Sequence, residues 1–226
     1  MNTASKIAKE SAITFTGLVY GNVNRYVYTA LLARWVGPEF LGIYSLANSI
    51  MLIAEVLAKM GLETGIMRFV SRLNPDTDQE KIQSVIGSAI KMTAIFSLAI
   101  MVGLIVSSGA IVDQLLNERA LLASVLIIFA IAIPFNALTL VSAYATQGFK
   151  RLKYKTMVTQ FLNPTVLLVS MIGCYFFISV ESAIMFPMLT TGVIGFFVMT
   201  KVLKSVSGIQ VGQMIGGTFD QALLKF

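Results

Sequence analysis

The chain has 226 residues, 56% of them hydrophobic and only 12% charged, with a net charge of +6. Soluble domains carry about 25% charged residues, so this composition cannot clothe a water-soluble globule of this length. High apolar content without low-complexity tracts also excludes disorder, which leaves a polytopic membrane protein. The chain has no His and one Cys, Cys174. Histidine-based catalysis, an intrachain disulfide and a Cys-rich metal centre are therefore absent, and no cofactor is expected. Cys174 lies in an apolar run and reads as a small core residue.

A helix needs ~20 mainly apolar residues to cross a bilayer. Six stretches qualify, at 12–34, 41–61, 84–107, 121–146, 157–179 and 183–203. Runs such as Leu121 to Ile131 do not alternate as the strands of a membrane barrel do. The prediction is an all-α, six-helix transmembrane bundle over residues 1–204, followed by a cytoplasmic tail over 205–226. The first span is too long for a signal peptide, contains Asn22, Asn24 and Arg25, and lacks a small-residue cleavage site.

At about 100° per residue, the first span has Thr14, Gly17, Gly21, Arg25, Tyr28 and Thr29 on one face. Asn22 and Asn24 border it. The opposite face holds Val19, Tyr20, Val23, Val27 and Ala30. Gly17 and Gly21 form a GxxxG, which permits close helix approach. Arg25 lies near the middle of the span. A charge there costs roughly 2.5–3.5 kcal/mol on insertion scales, so it lines a hydrated cavity and meets an anionic ligand, or pairs inside the bundle. Gly37-Pro38-Glu39 then makes a tight outer turn.

The second span places Tyr44, Asn48, Met51, Glu55, Lys59 and Leu62 on one face. Glu55 and Lys59 are spaced for an i,i+4 ion pair; the alternative is a coupling or gating carboxylate at Glu55. Lys59, Glu63 and Arg68 are close enough to the inner end to snorkel. In the first inner loop, Thr77 to Glu80 fit a capping box with Thr77 as N-cap. That box accounts for Asp76, Asp78 and Glu80, the one carboxylate cluster a membrane-embedded transferase could use. Lys91 in the third span either snorkels or lines a cavity. Ile111, Val112, Leu115 and Leu116 share a face, with Asp113, Asn117 and Glu118 away from it, predicting a short interfacial helix. Spans four to six each contain a proline, Pro134, Pro164 and Pro187, which kink membrane helices and free carbonyls.

Charge sets the orientation. With the N-terminus inside, Lys6, Lys9, Arg68, Arg72, Lys81, Lys150, Arg151, Lys153, Lys155, Lys201, Lys204 and Lys225 fall inside, and Arg34 and Arg119 outside. That bias predicts two cytoplasmic termini. The basic balance is a topology signal, and no nucleic-acid partner is expected. Lys150 to Lys155 form an inner anchor at the lipid headgroups.

Three segments carry a resemblance. Gly37-Pro38-Glu39-Phe40-Leu41-Gly42-Ile43-Tyr44 is similar to the stretch after the first helix of polysaccharide-type lipid-linked oligosaccharide flippases. Met60-Gly61-Leu62 with Arg68-Phe69-Val70-Ser71 resembles the end of their second helix, and Gln147 to Tyr154 their fourth inner turn. These flippases belong to the multidrug/oligosaccharidyl-lipid/polysaccharide exporter superfamily. The resemblance implies two six-helix lobes in a MATE-like fold that open alternately to either side of the cell membrane. It implies no enzymatic chemistry, and a cationic cavity holding the pyrophosphate of a polyprenyl-linked glycan.

On that reading Arg25, Asn22, Asn24, Asn48, Lys59 and Lys91 are candidate substrate-binding residues, and Glu55 the coupling or gating residue. The six spans would be the N-terminal lobe. Phe219 to Phe226 resembles the approach to a seventh helix, so the partner expected beside membrane lipids is a second six-helix lobe. A cation-coupled drug exporter needs acidic cavity residues, whereas interior cations outnumber carboxylates here. A non-transporting membrane scaffold is the remaining alternative.

Overall fold

The computed structural model describes residues 3–74, 77–116 and 120–207, and every regular element among them is helical. The order is α1 (Thr3–Trp35), α2 (Pro38–Lys59), α3 (Leu62–Arg72), α4 (Gln79–Leu116), α5 (Ala120–Gly148) and α6 (Leu152–Thr156). A π-helical stretch, Met157–Leu162, joins α6 to α7 (Asn163–Phe177), and α8 (Ser182–Ser207) follows.

Five stretches are long and apolar enough to cross a membrane: Pro38–Lys59, Gln79–Ile111, Leu121–Gly148, Leu152–Phe177 and Ser182–Val206. The sequence predicts six, and the difference is α1. Its 33 residues reach about 50 Å at 1.5 Å per residue, so length is not lacking. Asn22, Asn24 and Arg25, with the threonines of the same helix, make it too polar to count. Large apolar side chains cover the outside of the other helices. Ile53 and Val56 on α2 are each 65% exposed, Val106 on α4 79% and Phe177 on α7 89%. Water does not tolerate apolar cover on that scale, and a bilayer requires it.

The helices alternate in direction, giving the bundle two ends. α5 is central, with half of its span buried inside the chain. The main core gathers Tyr28 and Leu32 of α1, Ala47 and Met51 of α2, Phe129 and Ile133 of α5, Met171 of α7 and Ile184 of α8. At one end Trp35 stacks on Tyr175 with centroids 5.0 Å apart. At the other, Ile66 and Val70 of α3 pack with Ile82 and Ile86 of α4, Ala145 of α5 and Leu203 of α8.

Four local expectations change. α2 stops at Lys59 because Met60 (φ 46°) and Gly61 (φ 76°) are both left-handed. The chain then makes α3, an amphipathic helix burying Ile66 and Val70, where the sequence suggests a loop. α4 begins at Gln79, and the Ile82 amide donates to the Asp78 carbonyl at 3.0 Å. Asp78 rather than Thr77 therefore takes the N-cap position. Residues 111–116 are the continuous end of α4, not a separate interfacial helix, and Asn117 and Glu118 lie outside the described residues. The π turn was not foreseen; it ends just before Pro164 in the first turn of α7. That proline has no N–H to offer the preceding turn, where the wider winding sits. Of the expected tail, 208–226 lie outside the described residues.

Candidate functional site

α1 docks on the helix formed by α6, the π turn and α7 through its two glycines. A Cβ on Gly17 would sit 2.6 Å from Thr156 Cγ2 and 3.0 Å from a Phe161 ring carbon. One on Gly21 would sit 2.7 Å from Gln160 Oε1 and 3.0 Å from the Gln160 carbonyl oxygen. Only hydrogen fits, so the GxxxG serves close approach as its spacing suggests. The hydroxyls of Thr14 and Thr156 lie 3.5 Å apart across this contact. Tyr20, on the apolar face of the wheel, is 38% exposed and also makes contacts within the chain. Its hydroxyl is 2.9 Å from that of Thr165 and its ring stacks on Phe161 at 5.0 Å.

Above the glycine contact the helices part around a cavity of about 700 Å³, within the usual range for small-molecule sites. Arg25, Tyr28 and Thr29 of α1 and Tyr44, Asn48 and Glu55 of α2 form one side. Asn136 and Thr139 of α5, Thr159 of the π turn, Asn163 of α7 and Thr191 of α8 line the rest. The polar faces predicted for the first two spans thus meet in one cleft, while Val19 and Val23 on the opposite face of α1 are about half exposed.

Arg25 is exposed within this cleft. Its Nη1 donates to Asn22 Oδ1 at 3.3 Å, and its Nη2 makes a long 3.5 Å contact with Gln160 Oε1. Among the described residues it has no carboxylate at ion-pair distance. Glu55 faces elsewhere. Asn136 is close enough to hydrogen-bond its carboxylate, and the nearby charges are Lys59 and Glu63. Glu55 Oε1 and Asn163 Oδ1 are buried without hydrogen-bond partners, acceptors that water or a ligand donor would satisfy.

The remaining candidates lie apart. Asn24 gives its amide to the Tyr20 carbonyl at 2.9 Å and does not line the cleft. Lys59 is buried and pairs with Glu63 at 3.6 Å, not with Glu55 as the spacing suggested. The break at Met60 and Gly61 explains the switch, because it brings the first turn of α3 back onto Lys59. Lys91 is half-buried on α4 and does not line the cleft. The excess of interior cations read from the sequence is therefore not an excess in the cleft, whose lining includes one cation, Arg25, and one carboxylate, Glu55, not paired with each other.

Sequence reasoning missed Asn136, Asn163 and Gln160. The signal was available. Asn136 and Asn163 are polar residues within apolar spans beside Pro134 and Pro164, and intramembrane polar groups mark functional faces. A family model described as polysaccharide biosynthesis protein matches residues 7–220. The chain belongs to the polysaccharide biosynthesis protein family. That membership agrees with the flippase resemblance of its sequence, and the match runs from α1, through every helix of the bundle, to beyond α8. No curated protein and no solved structure matches the chain.

Proposed function

We propose that this bundle is one lobe of a flippase that moves a polyprenyl-pyrophosphate-linked oligosaccharide across the cell membrane by alternating access. The observation that carries this reading is Arg25: a mid-helix guanidinium in a cleft, steadied by two amide oxygens and unneutralised by any described carboxylate. A guanidinium binds phosphate oxygens through paired hydrogen bonds. Asn22 and Asn48 flank the seat, and Glu55, held apart near Asn136, is the coupling or gating residue. Lys59 and Lys91 belong to the reading as more distant contributors to positive potential, and Asn24 through its place on α1. In this reading α1 also crosses the bilayer, with its polar face to the cleft and both termini cytoplasmic. Residues 205–226 lead toward a second six-helix lobe that completes the pathway, and no covalent chemistry is involved.

The test is binding of undecaprenyl pyrophosphate-linked sugar to the purified chain. Arg25→Ala should weaken binding about 10- to 150-fold, the worth of a charged hydrogen bond of roughly 1.5–3 kcal/mol. Arg25→Lys should retain part, since it keeps the charge and loses the fork. Equal binding by all three proteins would refute the assignment.

A further inference from the structure

The hydroxyls around the cleft share one bonding pattern. Thr29 of α1, Ser49 of α2, Thr139 of α5, Thr159 of the π turn and Thr191 of α8 all line it. Each gives its proton to a carbonyl four residues back in the chain. Thr29 donates to Arg25 at 3.0 Å, Ser49 to Ser45 at 2.8 Å, Thr139 to Phe135 at 2.7 Å, Thr159 to Lys155 at 2.9 Å and Thr191 to Pro187 at 2.7 Å. A hydroxyl has one proton and two lone pairs. With the proton committed to the backbone, what remains for a ligand is an acceptor.

The buried atoms on these walls point to the same chemistry. Of the cleft residues with a buried, unpartnered polar atom, Glu55 Oε1 and Asn163 Oδ1 are acceptors, and the Tyr28 hydroxyl can act either way. The polar groups are also contiguous. Asn136 is close enough to hydrogen-bond the Glu55 carboxylate, and a Cβ on Gly192 would lie 2.9 Å from Asn136 Oδ1. A Cβ on Gly195, one turn further along α8, would lie 3.0 Å from Asn163 Oδ1 and 3.6 Å from Thr139 Oγ1. Two glycines of α8 thus let groups from α5 and α7 gather on one helix face. Arg25, by contrast, brings only N–H donors. The cleft has a donor pole at Arg25 and acceptor walls on α5, the π turn, α7 and α8.

A pyrophosphate linked at both ends offers oxygen acceptors and no proton at neutral pH. It satisfies Arg25 and leaves these walls unpaired, whereas a sugar ring carries several hydroxyl donors on one small frame. We infer that the sugar attached directly to the pyrophosphate sits inside the cleft and gives hydroxyl protons to Thr139, Thr159, Thr191 and the Glu55 carboxylate. Arg25 holds the phosphate at the same time. This inference rests on the function proposed above and narrows it: the lobe recognises the first sugar by its donors, in addition to the charge of the lipid pyrophosphate. The gating role proposed for Glu55 then has a stimulus, the arrival of a sugar hydroxyl at its carboxylate.

The experiment measures binding to the purified chain in neutral detergent. The probes are undecaprenyl pyrophosphate, the same lipid carrying one glucose, and glucosylated lipids in which one sugar hydroxyl at a time is replaced by fluorine. Fluorine is close to a hydroxyl in size and has no proton to donate. The glucosylated lipid should bind more tightly than the bare one, by about two- to twelvefold for each neutral hydrogen bond made, and at least one fluorinated lipid should lose a factor of that size. Thr139→Val with Thr191→Val keeps the branched shape and removes two acceptors, so it should shrink the advantage of glucose. Arg25→Ala should weaken both lipids alike. Should the double variant fail to fold, the fluorinated lipids decide on the unaltered protein. Equal binding of the bare and glucosylated lipids, or of every fluorinated lipid and its parent, overturns the sugar seat and leaves the phosphate site standing. Failure of both lipids to bind overturns the proposed function and the seat with it. Stabilisation by NaCl over choline chloride that disappears in Glu55→Gln, with no gain from glucose, assigns the acceptor walls to a small cation and also overturns the seat.

Discussion

Gly17→Ala tests whether α1 is seated as described, because two opposed effects have calculable sizes. Alanine favours a helix over glycine by about 1 kcal/mol, so without a neighbour the substitution stabilises. At Gly17 the new Cβ would stand 2.6 Å from Thr156 Cγ2, closer than carbon atoms approach. Thr156 is 3% exposed and β-branched, so its methyl has few rotamers to escape into. Overpacking of this kind costs about 1–3 kcal/mol. The clash should offset or exceed the gain, with a net loss of up to about 2 kcal/mol.

Gly21→Ala should cost less. Its closest contact is Gln160 Oε1, the end of a flexible side chain, and only the backbone oxygen at 3.0 Å resists. Gly103→Ala on α4 meets nothing within 4 Å and should be neutral or slightly stabilising. The single tryptophan is a direct reporter, since Trp35 of α1 stacks on Tyr175 of α7. Denaturant unfolding in detergent, followed by its emission, should rank stability as Gly103→Ala, then Gly21→Ala, then Gly17→Ala. A Gly17→Ala protein as stable as Gly103→Ala would refute the close seating of α1.

Two further outcomes follow. Lys59→Met should destabilise by about 1–3 kcal/mol by leaving the half-buried Glu63 without its cation, and adding Glu63→Gln should recover much of that in the same unfolding assay. For orientation, in a Cys174→Ala background, a cysteine at Glu181 should react with an impermeant maleimide in intact cells, and one at Thr77 only after permeabilisation; the reverse pattern would refute the cytoplasmic placement of the termini.

Periodicity and charge made much of this molecule legible. The wheel of α1 placed Gly17, Gly21, Arg25 and Tyr28 on the interior face because a continuous helix preserves its 3.6-residue period over 33 residues. The same logic placed Asn48 beside Glu55. It failed at Lys59, where the helix ends and periodicity no longer carries information. Two successive left-handed residues redirect the chain, so a pair spaced i,i+4 inside one helix loses to a pair spaced i,i+4 across a break. Tyr20 stays exposed on the apolar face, and what the wheel could not show is that Thr165 and Phe161 also reach it. Gln160 was passed over although it is a polar residue within the apolar span 157–179; it sits in the π turn, which periodicity at the α value does not describe.

The polarity that keeps α1 from qualifying as an ordinary lipid-spanning helix is also what gives it a use. Asn22 and Arg25 expose hydrogen-bonding groups that hydrocarbon cannot satisfy, and the chain offers them only part of what they need. A guanidinium has five N–H donors. In the structure one is given to Asn22 and another, at long range, to Gln160. Glu55 is near Asn136 and makes no ion pair with Arg25. The uncommitted donors must therefore find oxygen from outside the described bundle. Water supplies such oxygens singly and without preference for direction. A phosphate supplies several on one centre, with charge opposite to that of the guanidinium and a spacing that matches its fork. On the function proposed above, the helix too polar for lipid, docked through two glycines and holding an arginine short of acceptors, would seat the charged headgroup, and the apolar outer faces of α2 and α4 would leave the rest of such a molecule in the bilayer.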